Sequence, residues 1–212
     1  MVGRLQIGFD NGVPSRTDST AIVEIDVSSG AERVVLEGGY DPSLSADGTR
    51  MAYLRHEEVG MPTVMVANAD GSDASALAGA DSFSVIRTPR ISPDGQAVAF
   101  AAATPVESSM RMDDRGWAGG LLASLGPLAP FVPRKAEAHG SPMDVWVADV
   151  EMRMVRQLTF LGLDDPYLGW SPDGGRVVFV ATSGLYEVSV GEDSVVRVGE
   201  GSFGGRLAVA PE

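Results

Sequence analysis

The chain has 212 residues, 44% of them hydrophobic, enough to bury a full core within one domain. A net charge of −13 argues against a nucleic-acid partner, because phosphate binding needs clustered cations. The absence of cysteine excludes disulfides and thiolate chemistry, and no apolar run approaches the roughly 18 residues needed to span a bilayer.

Taken in order, the N-terminal stretch MVGRLQIGFDNG lacks the charged flank and apolar core of a signal peptide. Residues 4–37 read as three strands, ending in the hairpin AIVEIDVSSGAERVVLEG. Residues 40–80 hold SLSADGTRMAY and then TVMVANADGSDASALAG; residues 82–160 hold RISPDGQAVAF and DVWVADVEMRMVRQLTF; residues 165–200 hold WSPDGGRVVF and GLYEVSVGEDSVVRVGE. Asp-Gly between two apolar runs is a strong hairpin signal, since Gly supplies the positive φ that a tight turn needs. Pro93 and Pro172 pre-set φ at two of these turns. The second hairpin of each unit alternates apolar and polar residues, as in Val145, Val147 and Val150 against Trp146 and Ala148, so one face is expected inward and the other outward.

Two hairpins per unit make a four-stranded meander, strands a to d. Self-similarity at roughly 40 to 50 residues with four short strands per unit is the signature of a β-propeller. The expected fold is thus all-β, four-stranded antiparallel blades in one domain over 1–212, with an insertion at 104–142 in the second full blade. Four blades are expected, the C-terminal GGRLAVA (204–210) lending a strand to the N-terminal blade so that no apolar edge stays open. The alternative is a fragment of a six-bladed propeller.

The SPDG turns followed by an Arg-x-Ala-Phe-like strand, together with VMVANADGSDASALAG and DVWVADVEMRMVRQLT, resemble the TolB-type WD-like propeller repeat. That repeat is also similar to the propeller domains of prolyl-oligopeptidase-type peptidases. The resemblance covers most of residues 20–200 apart from the insertion. It implies a non-catalytic protein-binding or scaffolding role, although the chain lacks a TolB-like N-terminal α/β domain and any α/β-hydrolase domain; TolB-like relatives are often periplasmic or extracytoplasmic, and the compartment of this chain is left unassigned. A propeller hydrolase or lyase with a site at the channel mouth is the second reading, and a regulatory propeller of a peptidase the third.

The sequence carries few groups suited to catalysis. No G-x-S-x-G elbow occurs, and His56 and His139 are the only imidazoles, read as loop or surface residues. The run Gly199 to Gly204 fits G-x-G-x-x-G, but a strand rather than a helix follows it, so it is read as a turn between blades. NADGSD (68–73) has the oxygen density of a cation loop without the distant bidentate Glu, and is read as a hairpin turn. No catalytic, metal or cofactor residue is assigned. Tyr53, Phe100 and Phe179 share one repeat position and are expected in the core, whereas Trp146 and Tyr186 are expected between blades.

Function is therefore expected where the repeat is irregular. In a meander the a–b and c–d turns leave one end of a blade, and the b–c and d–a connections leave the other. The second end gathers 10–20, 55–61, 104–142 and 160–167, and loops held on a rigid scaffold are where binding concentrates. The binding-face candidates are Arg55, His56, Glu57, Trp117, His139, Asp164, Asp165 and Tyr167, meeting a protein or peptide partner. Residues 105–141 exceed ordinary loop length and are expected as a short helix or lid over the channel mouth.

Overall fold

The computed structural model describes residues 2–6, 9–10, 13–14, 19–56, 61–104, 142–192, 194–201, 203 and 207, with backbone alone up to Ser19. These residues are all-β. Strands β1 (Val2–Gln6), β4 (Ser19–Ile25) and β5 (Glu32–Glu37) form a three-stranded sheet, with the small pair β2 (Phe9–Asp10) and β3 (Val13–Pro14) between β1 and β4 in sequence. Three four-stranded antiparallel meanders follow. The first is β6 (Gly39–Leu44), β7 (Arg50–Arg55), β8 (Thr63–Asn68) and β9 (Ser75–Ala78). The second is β10 (Val85–Ile91), β11 (Ala97–Ala103), β12 (Asp144–Asp149) and β13 (Val155–Gln157). The third is β14 (Tyr167–Trp170), β15 (Arg176–Ala181), β16 (Gly184–Ser189) and β17 (Val195–Gly199).

Each a–b turn is built by one local device, repeated three times. The Ser45 hydroxyl donates to the Asp47 carboxylate at 2.6 Å and accepts from the Arg50 N–H at 3.0 Å. Ser92 with Asp94 and Ser171 with Asp173 do the same, accepting from Ala97 and Arg176. Gly48, Gly95 and Gly174 follow at φ 70°, 73° and 71°, the left-handed conformation that the Asp-Gly pair requires. NADGSD is the turn between β8 and β9, where Asp70 accepts from the Ser72 N–H and hydroxyl.

Packing departs from the expected inward and outward faces. On β12, Val145 and Val147 join a core shared with β15 residues such as Val177 and Phe179. Ala148 on the opposite face joins a different core with Ala52, Leu54 and Val66 of the preceding blade, and Trp146 packs against it. Strand β11 splits likewise, Ala99 and Ala101 to one side and Val98 and Phe100 to the other. The cause is simple. A middle strand of a blade is sandwiched between two neighbouring blades, so its period-2 pattern sorts residues between two cores rather than between core and water.

Tyr53, Phe100 and Phe179 are fully buried, as their repeat position implies. Trp146 meets Phe83 edge-on at 4.9 Å, and Tyr186 stacks on Phe179 at 5.2 Å. Polar clamps complete the blade contacts. The Arg50 guanidinium donates to the Gly95 carbonyl, Arg153 to the Ala76 carbonyl on outer strand β9, and Arg156 to the Val190 carbonyl. Covering a carbonyl on an outer strand also blunts an exposed sheet edge.

Candidate functional site

Inner strands β6, β10 and β14 converge on the propeller axis, with β10 touching both of the others. Each carries, within or just before its loop-end half, a residue of positive φ followed by proline: Asp41-Pro42 (φ 49°), Thr88-Pro89 (φ 48°) and Asp165-Pro166 (φ 43°). Pro disfavours helical dihedrals in the residue before it, and positive φ is uncommon outside glycine, most of all for β-branched Thr. In β6 and β10 the register shifts at this point, between Tyr40 and Ser43 and between Arg87 and Arg90. Strain of this kind persists only when surrounding contacts over-determine it.

Those contacts run from blade to blade. The Thr88 hydroxyl donates to the Pro166 carbonyl at 3.2 Å within a buried setting. Arg90 Nη1 donates to Asp41 Oδ1 at 3.1 Å and to its neighbouring Pro89 carbonyl at 2.6 Å, with the Arg90 and Asp41 side chains 15% and 21% exposed. Arg87 pairs with Asp165 at 3.2 Å, but both side chains are more than half exposed. Trp170 Nε1 donates to the Arg90 carbonyl at 2.8 Å, and the Ile91 N–H donates to the Ser43 hydroxyl at 3.2 Å.

Of the residues expected at the loop end, Asp165 meets Arg87 as above. His56 is exposed and stacks on Tyr40, ring centroids 4.9 Å apart. Burial pushes the Tyr40 phenol up to about 12, with the Asp41 carboxylate adding to the rise and Arg87 opposing it, so these three residues share one electrostatic neighbourhood. Arg55 closes β7, half-buried, opposite Gly39 and Thr63. Asp164 precedes Asp165, and Tyr167 opens β14 opposite Val180. Glu57, Trp117 and His139, like the expected lid over 105–141 and, apart from Leu207, the expected strand over 204–210, lie outside the described residues.

The inner-strand residues Tyr40, Asp41, Arg87 and Arg90 were not among the sequence candidates. The signal available for them was the recurrence of X-Pro before each Asp-Gly turn, in YDP, RTP and DDP. Among the described residues, no three His, Asp or Glu side chains gather as metal ligands.

A cavity of about 560 Å³ lies at the other end of the axis, among the turns that sequence reading treats as plain scaffold. Equivalent positions of three blades line it: Leu44, Ile91 and Trp170 end the inner strands, and Ala46, Pro93 and Pro172 sit in the turns. Arg90 lines it as well, and Leu207 comes from the C-terminal stretch.

No family model matches the sequence, and no curated protein matches it. Solved structures do. TolB from Acinetobacter baumannii is similar at 17% identity with a TM-score of 0.57, over 84% of this chain and 37% of that one. An oligogalacturonate lyase in complex with manganese is similar at 17% identity and a TM-score of 0.54, over 86% and 43%. The β-propeller domain of the Trilobed protease from Pyrococcus furiosus, described as having an open velcro topology, is similar at 15% identity and a TM-score of 0.54, over 94% and 54%. The chain therefore spans about a third to a half of the proteins it resembles. What these likenesses establish is the fold: a β-propeller of four-stranded antiparallel blades, of the kind found in TolB and in peptidase propeller domains.

Proposed function

We propose that this propeller is a non-catalytic binding module that meets a protein or peptide partner at the loop end of its axis. The observation that carries this reading is the cluster at that mouth, where an aromatic stack (Tyr40 on His56) adjoins an exposed ion pair (Arg87 with Asp165). Aromatic and Arg side chains are the groups that most often anchor a partner. Residues 79–84 and 158–166 connect strands at the same end, as does the 104–142 segment that links the paired strands β11 and β12. The likeness to TolB supports a protein partner by analogy of fold.

Two perturbations test it. Replacing 107–138 with a short Gly-Ser linker should leave the fold intact and abolish capture of the partners bound by the unaltered chain. The pair Arg87→Ala with His56→Ala should weaken the same partners by about tenfold or more, the loss expected for a hot-spot side chain. Retained folding with every partner still bound in both variants would remove the loop end from consideration.

A further inference from the structure

We propose that the cavity at the turn end of the axis is a separate binding site, for an uncharged apolar group that carries a hydrogen-bond acceptor. An apolar amino-acid residue with its peptide carbonyl has this chemistry. The site does not depend on the partner surface at the loop end.

Size and rigidity come first. A volume of about 560 Å³ falls within the range of roughly 300–1,000 Å³ in which small ligands bind. The walls are largely apolar, and Pro93 and Pro172 on the rim have fixed φ. Trp170 is tied to the neighbouring blade through the Arg90 carbonyl, and Ile91 through the Ser43 hydroxyl. A wall held this way loses little freedom when a ligand arrives.

Charge then decides the class of ligand. Among the described residues, Arg90 is the only ionisable one lining the cavity. Its Nη1 is taken by Asp41 and the Pro89 carbonyl, while among the described residues Nε and Nη2 have no acceptor. Arg90 thus brings to the cavity wall a guanidinium whose charge Asp41 already balances. A ligand carboxylate would bring a second anion towards Asp41, and a ligand cation would face the guanidinium, each while losing its hydration. A neutral carbonyl can accept from the remaining guanidinium N–H groups and incurs neither cost.

The test uses the full chain, ¹⁵N-labelled, with the Trp170 indole signal assigned through Trp170→Phe. Three probes are titrated at neutral pH: N-acetyl-leucinamide (uncharged), N-acetyl-leucine (anionic) and leucinamide (cationic). The uncharged probe should shift the Trp170 signal with a dissociation constant on the order of 1 mM, as suits a fragment of its size, and bind about tenfold tighter than either charged probe. Asp41→Asn keeps the shape, since Asn tolerates positive φ, but leaves Arg90 uncompensated. In that variant N-acetyl-leucine should become the preferred ligand. Ala46→Trp should fill the rim and abolish binding of all three.

Acetyl-Gly-Gly-Leu-Gly-Gly-amide separates the sources: tighter binding than the diamide identifies a peptide segment, weaker binding a free small molecule. Three results would overturn the proposal: no Trp170 shift with any probe at about 10 mM, preference for the anion in the unaltered chain, or an unchanged order in Asp41→Asn. Signal dispersion in the same spectra reports folding, and if Ala46→Trp unfolds, the Asp41→Asn reversal still decides.

Discussion

Tyr53 is fully buried in β7, yet among the described residues its hydroxyl is the one buried side-chain polar atom without a hydrogen-bond partner. Burial pushes the phenol pKa up, with Arg55 opposing, consistent with a group removed from water and unrewarded for it. The same repeat position in the next two blades is Phe100 and Phe179, both fully buried. Tyr53→Phe should therefore stabilise the protein. An unpaired buried hydroxyl costs about 1–3 kcal/mol, and the dispersion attraction of the missing oxygen atom offsets part of the gain. The expected net effect is about 1 kcal/mol, or roughly 2–4 °C in Tm for a chain of this size. Urea unfolding should show a higher midpoint at unchanged slope, which separates stability from a change in exposed surface. The reciprocal changes Phe100→Tyr and Phe179→Tyr should each destabilise by about 1–3 kcal/mol, since each buries a new hydroxyl among apolar side chains. If Tyr53→Phe instead lowers stability by about 1 kcal/mol or more, the hydroxyl has a partner and the reasoning fails.

Three further outcomes are expected. Gly95→Val should destabilise by about 1–3 kcal/mol, because φ is 73° and the new Cβ would lie 3.1 Å from the Arg50 Cδ; an unchanged unfolding midpoint would refute the turn argument. Asp26, held down to about 2 from 3.8 by the Ser28 hydroxyl and the Ser28 and Ser29 N–H groups, has a folded pKa below its unfolded one. Its contribution is then present above pH 3.8 and lost as pH falls towards 2, so Asp26→Asn should flatten that part of the stability–pH curve, and an unaltered curve would count against it. In double-mutant cycles, the exposed Arg87–Asp165 pair should couple by under about 1 kcal/mol and the largely buried Arg90–Asp41 pair by more, so equal couplings would contradict the burial difference.

The repeat itself was legible in the sequence. Ser-x-Asp-Gly turns are local chemistry: a hydroxyl, a carboxylate and a glycine within five residues set the hairpin whatever surrounds it, and β7, β11 and β15 begin where those turns end. Four strands per unit and the burial of Tyr53, Phe100 and Phe179 followed from period and position alone. Partition of the faces did not. Alternation on β11 and β12 says that two faces differ, but whether the second meets water or another blade depends on chain segments tens of residues away. For the same reason sequence reading passed over Asp41 and Arg90. They stand 49 positions apart, and only the convergence of β6 and β10 on the axis makes a carboxylate and a guanidinium into a largely buried pair beside a cavity. Local rules act through neighbouring backbone groups and so appear in the string of residues. Cavities and ion pairs are made by the docking of separate blades, and tertiary structure alone decides them.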